Sequence, residues 1–282
     1  MIKTRRSLSN GARRVLQGRH HDPYEILGCH RRGRYWHIKA LVPGAETVQV
    51  LLDGDTVAME RTPDTDLFSG RLERPAAPQY RLRWRPAGGE WLEYEDPYRF
   101  APMIGDLDLH LFGEGRHQHL YRILGAHCCE HQGVAGVRFA TWAPNAARVS
   151  VVGDFNRWHG LAHPMRVRGG SGVWEIFIPG LEAGCNYKFE IADQHNGLHL
   201  KADPFGNRFE LRPATASIVQ RPSEFAWSDG EWMEQRAHWD WQHAPVSVYE
   251  LHLGSWRRGD EGEILGYREL AECLADYLID MG

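Results

Sequence analysis

The chain lacks several things, and each absence excludes a class of function. No apolar run reaches the length of a membrane span or a secretory signal core. No concentrated basic face is present: the formal charge is −4 over 282 residues, whereas nucleic-acid binding needs a cationic footprint. Cysteine is scarce. Cys29, Cys128, Cys129, Cys185 and Cys273 are odd in number and irregular in spacing, which argues against a disulfide framework and for a reducing, cytoplasmic setting. The run His127-Cys128-Cys129-Glu130-His131 gathers metal-binding residue types, but adjacent ligands without a second paired cluster do not fit zinc spacing. No metal or cofactor is expected.

What the chain has is aromatic weight and repetition. Eleven Trp accompany ten Tyr and ten Phe. Aromatic faces stack on the apolar faces of sugar rings, although most Trp in a β-rich protein fill cores or cover sheet edges. The segment Asp22-Pro23-Tyr24-Glu25-Ile26-Leu27-Gly28-Cys29-His30 is echoed by Leu120-Tyr121-Arg122-Ile123-Leu124-Gly125-Ala126-His127. Ala40-Leu41-Val42-Pro43-Gly44 is matched by Thr141-Trp142-Ala143-Pro144-Asn145, and Tyr80-Arg81-Leu82-Arg83-Trp84 by Tyr187-Lys188-Phe189-Glu190-Ile191. Both units close on Asp-Pro-aromatic, at Asp96-Pro97-Tyr98 and Asp203-Pro204-Phe205.

Within the second unit, residues alternating with period two mark strands at Gly136–Ala143, Ala147–Val152, Val173–Ile178 and Tyr187–Ile191. A repeat of roughly one hundred residues built this way reads as an immunoglobulin-like antiparallel β-sandwich. The expected organisation is a basic tail or short helix over residues 1–20, a first sandwich over 21–104, a second over 105–225, and a linker helix with the start of a barrel over 226–282. The tail is crowded with Lys3, Arg5, Arg6, Arg13, Arg14 and Arg19, a pattern shared by solvated tails and organelle transit segments; the solvated tail is the reading taken here. Asp229–Asp240 reads as helical, and Pro245, which cannot donate a ladder bond, suits the start of a strand at Val246–Leu253. A helix follows with Tyr267, Leu270, Ala271, Leu274, Leu278 and Met281 along one face, capped by Gly282. A strand then such a helix is the first βα unit of a (β/α)8 barrel. Nothing follows Gly282, so the chain is expected to be truncated: a shortened gene product, half of a split gene, or an excised piece.

Val152-Gly153-Asp154-Phe155-Asn156-Arg157-Trp158 resembles the signature of the family 48 carbohydrate-binding module. Val248-Tyr249-Glu250-Leu251-His252-Leu253-Gly254-Ser255-Trp256-Arg257-Arg258 resembles the barrel opening of bacterial 1,4-α-glucan (glycogen) branching enzymes. The linker from Asp96-Pro97-Tyr98-Arg99-Phe100 through Gly105–Gly115 is similar to their long form, which has two amino-terminal modules. Debranching and trehalose-forming relatives share the module but less of the His-Leu-Gly-Ser-Trp-Arg-Arg segment. Regulatory glycogen-binding subunits share the Gly-Asp-Phe-Asn motif, leaving a non-catalytic glucan-binding module as the alternative reading.

The resemblance implies glycogen biosynthesis by a retaining, α-amylase-type transfer, in which one carboxylate attacks the anomeric carbon and a second carboxyl protonates the leaving oxygen. It places those carboxylates on later barrel strands, so no catalytic residue is expected in this chain and no activity from it alone. Glu250 is expected to pair with His252 structurally. For α-1,4-glucan or glycogen, the resemblance points to Trp158 as a stacking platform, with Asn156 in the same turn and Lys188 facing outward as a hydroxyl donor. A second aromatic platform, expected a few residues beyond the lysine, is absent from Gln194-His195-Asn196-Gly197-Leu198-His199. In the first unit the equivalent loop is Leu52-Asp53-Gly54-Asp55, and Arg81 stands where the lysine would. That sandwich reads as a spacer or docking domain, with Trp36, Trp84 and Trp91 as core or edge cover. The other expected partner is the remainder of the barrel.

Overall fold

The computed structural model describes residues 8–195 and 197–281. Lys3, Arg5 and Arg6 of the basic tail, Asn196 and the Gly282 helix cap lie outside them. The chain divides into two units, Met1–Pro222 and Ser223–Gly282.

The first unit begins with helix α1 (Asn10–Leu16), the helical form of the two readings for this segment. Ser9 caps it, its hydroxyl accepting the Ala12 amide at 3.2 Å. Ala12 and Val15 are buried against Leu27 and Tyr98. The first sandwich follows. One sheet runs β1 (Gly28–Arg32), β2 (Tyr35–Leu41), β6 (Leu67–Glu73), β5 (Glu60–Arg61). The facing sheet runs β4 (Asp55–Ala58), β3 (Thr47–Leu52), β7 (Arg81–Arg85), β8 (Leu92–Tyr94). Period-two alternation turns Ile38, Val48, Val50 and Leu82 into a shared core. Trp36 and Trp84 pack at its margin, and Trp91 lies under the guanidinium groups of Arg83 and Arg85.

After helix α2 (Asp106–Gly113), the second sandwich repeats the plan. Its first sheet runs β12 (Arg166–Val167), β13 (Val173–Pro179), β10 (Val134–Trp142), β9 (Gly125–His131). Its second runs β11 (Arg148–Gly153), β14 (Asn186–Ala192), β15 (Leu198–Lys201), with β16 (Ser217–Ile218) also on β14. Every ladder is antiparallel. The four strands expected from alternation are all present, shifted by one or two residues. Strand β9 was not foreseen. It holds the His127–His131 run, where adjacent side chains point to opposite faces and cannot converge on one ion.

The repeat extends to buried chemistry. The Tyr80 hydroxyl donates to Asp96 at 2.6 Å, and the Tyr187 hydroxyl to Asp203 at 2.6 Å. Each aspartate also caps the turn behind it, accepting from the amides of Tyr98 (2.9 Å) and Phe205 (2.8 Å). His30 donates to the Leu27 carbonyl and His127 to that of Leu124, both at 2.8 Å. The Asp-Pro-aromatic echo in the sequence is therefore a duplicated hydrogen-bonded corner.

Burial pushes the Asp96 carboxyl up from 3.8 to about 6, against the opposing pull of its two donors. A carboxyl whose folded pKa is raised favours the fold below its unfolded value, and that contribution is lost as pH rises through the folded value. The stability of the wild type relative to Asp96→Asn should therefore fall by about 2 kcal/mol between pH 4 and pH 7. Denaturant titrations of both proteins across that range measure it; a flat difference contradicts the assignment.

The second unit contains α3 (Gly230–His238), α4 (Leu253–Trp256) and α5 (Tyr267–Met281). The linker helix and the last helix stand where the sequence places them. The barrel strand does not: Val246–His252 has no ladder partner among the described residues. A strand exists only through hydrogen bonds to a neighbour, so its propensity finds no expression here. Tyr249 instead packs at a tilt against Tyr277 of α5, ring centroids 5.5 Å apart, and accepts from Trp256 Nε1 at 2.9 Å. The His252 ring meets the Ser255 hydroxyl at 2.9 Å, in place of the expected pairing with Glu250. Leu270 is buried, while Tyr267, Leu278, Ile279 and Met281 are exposed.

Candidate functional site

All six residues of β11 are buried, although only one face of the strand can meet the sandwich core. Val149 and Val151 point into that core. The other face is covered by the chain that leaves β11, and this cover contains the candidate site.

The cover begins with a tight turn over Gly153–His159. Glycine is required at 153 because a Cβ there would lie 2.2 Å from the Asn186 carbonyl oxygen and 2.5 Å from the Phe155 ring. Phe155 packs inward, its ring centroid 6.4 Å from that of Phe139. Asn156 closes the turn. Its Oδ1 accepts the Gly153 amide at 3.0 Å, and its Nδ2 donates to the Val151 carbonyl at 2.9 Å and to His163 Nδ1 at 2.8 Å. Burial holds His163 down to about 4, so its ring is neutral and Nδ1 is free to accept.

Arg157 and Trp158 then take consecutive left-handed conformations, φ 55° and 58°. Trp158 leaves the turn 38% exposed, its Nε1 donating to Asp154 Oδ1 at 2.9 Å. That bond fixes the pitch of the indole while leaving ring surface to solvent. Lys188 on β14 lies opposite Val152, one residue before the turn. It is half-buried and donates to Thr215 Oγ1 at 2.6 Å, so two of its three ammonium hydrogens are not used there.

Of the three residues expected to meet sugar, the structure thus joins Trp158 and Asn156 in one turn and sets Lys188 on the adjoining strand. Both Asn156 amide hydrogens are spent inside the protein, which makes it a builder of the turn. In the first sandwich the same place, after β3, is a two-residue hairpin. Leu52 pairs with Asp55 across Asp53-Gly54, and Gly54 supplies the positive φ of 82°. No aromatic is displayed there.

Sequence reading missed two buried charged clusters, one beneath this cover around Arg148 and one on the other sheet around Glu175. Arg148 donates to the Gly18 carbonyl (3.0 Å), the Gly160 carbonyl (2.8 Å), the Ser150 hydroxyl and Glu190 (2.6 Å). Arg166 donates to the Phe100 carbonyl at 2.8 Å, and its guanidinium carbon lies 3.5 Å from the centroid of the Tyr24 ring. Glu175, 2% exposed, receives Arg168 at 2.8 Å and the Ile104 amide at 3.0 Å. A signal was available: Arg148, Arg166 and Glu175 all sit within strands otherwise rich in apolar residues. Among the described residues no group of three His, Cys, Asp or Glu is placed to hold a metal ion. All five cysteines are free thiols, and no described helix is long and apolar enough to cross a membrane.

Residues 9–98 match the family described as the N-terminal domain of the alpha-1,4-glucan branching enzyme GlgB. Residues 123–206, which include the Trp158 turn, match carbohydrate-binding module 48, the isoamylase N-terminal domain. The chain is similar along nearly its whole length to the amino-terminal part of glucan branching enzymes. It is 51% identical to a 1,4-alpha-glucan branching enzyme of Methylococcus capsulatus over 98% of this chain and 37% of the relative. The enzyme of Cellvibrio japonicus is 48% identical over 99% of this chain and 39% of its own length. That of Rubrobacter xylanophilus is 50% identical over 96% and 37%. The chain therefore spans less than two-fifths of the length of these branching enzymes. Among solved structures, a type I pullulanase of Bacillus subtilis aligns with 71% of this chain and 27% of its own at 15% identity and a TM-score of 0.32, a likeness too slight to carry weight.

Proposed function

We propose that the chain is the glucan-holding front of a 1,4-α-glucan branching enzyme, with an α-1,4-glucan stacked on Trp158. The carrying observation is the half-exposed indole, held at a fixed pitch by Asp154 on a turn braced by Gly153, Asn156 and His163. A platform locked before the ligand arrives gives up little conformational entropy on binding. Lys188 supports the reading with ammonium hydrogens beside the same turn. Only one aromatic platform is supplied, since Gln194–His199 holds no Trp or Tyr, so binding is expected to be weak.

The transfer chemistry is assigned elsewhere. The family resemblance puts the paired carboxylates on later barrel strands, and no barrel strand is described here. The purified chain should show no turnover of amylose in a reducing-end assay; turnover would contradict the assignment. The exposed apolar side chains of Trp227, Val248, Tyr267 and Ile279 support the remainder of such a barrel as partner of the second unit. Free thiols and a storage-glucan substrate support a reducing cytoplasmic setting.

Affinity electrophoresis through glycogen gels tests the binding reading. The wild type should be retarded, and Trp158→Ala should lose most of that retardation. Migration unaffected by glycogen would remove the proposal. Retardation unchanged by Trp158→Ala would favour a glucan-binding module that uses another surface.

A further inference from the structure

The Gly153–His159 turn has two sides, and only one carries Trp158. The other forms a wall of a cleft of about 710 Å³ between the two sandwiches, within the range of small-ligand sites. Asp154, Arg157 and His159 line it from the second sandwich; Trp84, Leu92 and Glu93 line it from the first.

Three observations mark it as more than a seam. Arg157 is a non-glycine residue held at φ 55°, and strain of that kind costs of order 1–3 kcal/mol and gathers at functional sites. Arg157 is exposed at the cleft wall, and among the described residues its guanidinium has no hydrogen-bond or ion-pair partner, so five donors are open to a ligand there. Leu92 is 47% exposed and Trp84 half-buried, which leaves apolar surface on the facing wall.

The charges select the ligand. Asp66, Glu93, Glu95 and Asp154 line the cleft with Arg157, and the first three are ion-paired with Arg61, Arg81 and Arg99. Four carboxylates are thus matched by four guanidinium groups, and these balanced pairs offer a phosphate or other anion no net attraction. A neutral polyhydroxylated chain suits them, since its hydroxyls donate to carboxylates, accept from arginine, and its ring faces meet Trp84 and Leu92.

We propose that the cleft between the sandwiches is a second binding site for an α-1,4-glucan chain, with Arg157 and Glu93 as its polar contacts. The proposal rests on the reading of the Trp158 turn as a glucan site, because that shared turn is what names the ligand. It gives the first sandwich, whose own hairpin displays no aromatic, a part in holding glucan.

Hydrogen–deuterium exchange of the full 282-residue chain with maltoheptaose separates the two sites. Maltoheptaose should slow exchange at Leu92–Tyr94 as well as at the Trp158 turn. Glu93→Ala, and Arg157→Gly, which relieves the strain, should each weaken the Leu92–Tyr94 effect roughly tenfold in ligand concentration. Protection at the turn alone overturns the cleft proposal and leaves the Trp158 reading standing. Protection at Leu92–Tyr94 that survives in Trp158→Ala supports the cleft independently of Trp158. No protection at either place removes both.

Discussion

Replacing Glu175 with leucine should lower the unfolding free energy by about 3–5 kcal/mol, the usual cost of breaking a buried ion pair from one side. Glu175 is 2% exposed and accepts from Arg168 at 2.8 Å, with Arg166 at 3.6 Å. Leucine would leave Arg166 without its carboxylate and Arg168 with only Asp106, 4.0 Å away, and neither guanidinium reaches water freely. It would also orphan the Ile104 amide, which binds the same carboxylate at 3.0 Å. Ile104 lies in the linker between the sandwiches, so the damage should spread to how residues 99–105 are held. Urea unfolding measures the loss. The exposed pair of Arg61 and Asp66, 2.7 Å apart, is the control, and its disruption should cost less than about 1 kcal/mol. Equal effects at the two pairs would contradict this ordering.

Arg148→Ala should be as damaging, by about 3–5 kcal/mol, and more local in its symptoms. One guanidinium joins three separate stretches of chain: the Gly18 carbonyl after α1, the Gly160 carbonyl beyond the Trp158 turn, and Glu190 on β14. Removing it leaves Glu190, 15% exposed, without its cation. It also unties the segment after α1 from the second sandwich. Limited trypsin digestion should then cut after Arg19 faster than in the wild type, in step with the lowered unfolding midpoint. A variant cut no faster than the wild type would show that Arg148 does not hold this segment.

The sandwiches were legible because their information is local. Alternation in runs such as Val149–Val152 and Tyr187–Ile191 fixes which face is buried, and turn residues such as Asp53-Gly54 fix where strands reverse. The repeat was legible for the same reason, although the Tyr80–Asp96 and Tyr187–Asp203 hydrogen bonds that close its corners were not. Val246–Leu253 was misread because strand propensity records fitness for a sheet, and the sheet must be supplied by other strands. Strand β9 was passed over because His127–His131 looks like chemistry before it looks like alternation.

At the site, the signature turn and Trp158 could be read from Gly153–Trp158. The part played by Asn156 could not, since its partners Val151 and His163 are fixed only by the return of the chain over β11. The buried charges of Arg148, Arg166 and Glu175 were hidden likewise: a charged residue inside a strand signals burial or an edge equally until its partner is known. The cleft lay furthest from view, because its walls come from modules far apart in sequence.

The most direct measurement is a crystal structure of the chain with maltoheptaose. A sugar ring lying flat on the Trp158 indole within about 4 Å, with Asp154 still holding the indole nitrogen, is the predicted result. Maltoheptaose bound elsewhere, with the Trp158 face bare, would contradict the account.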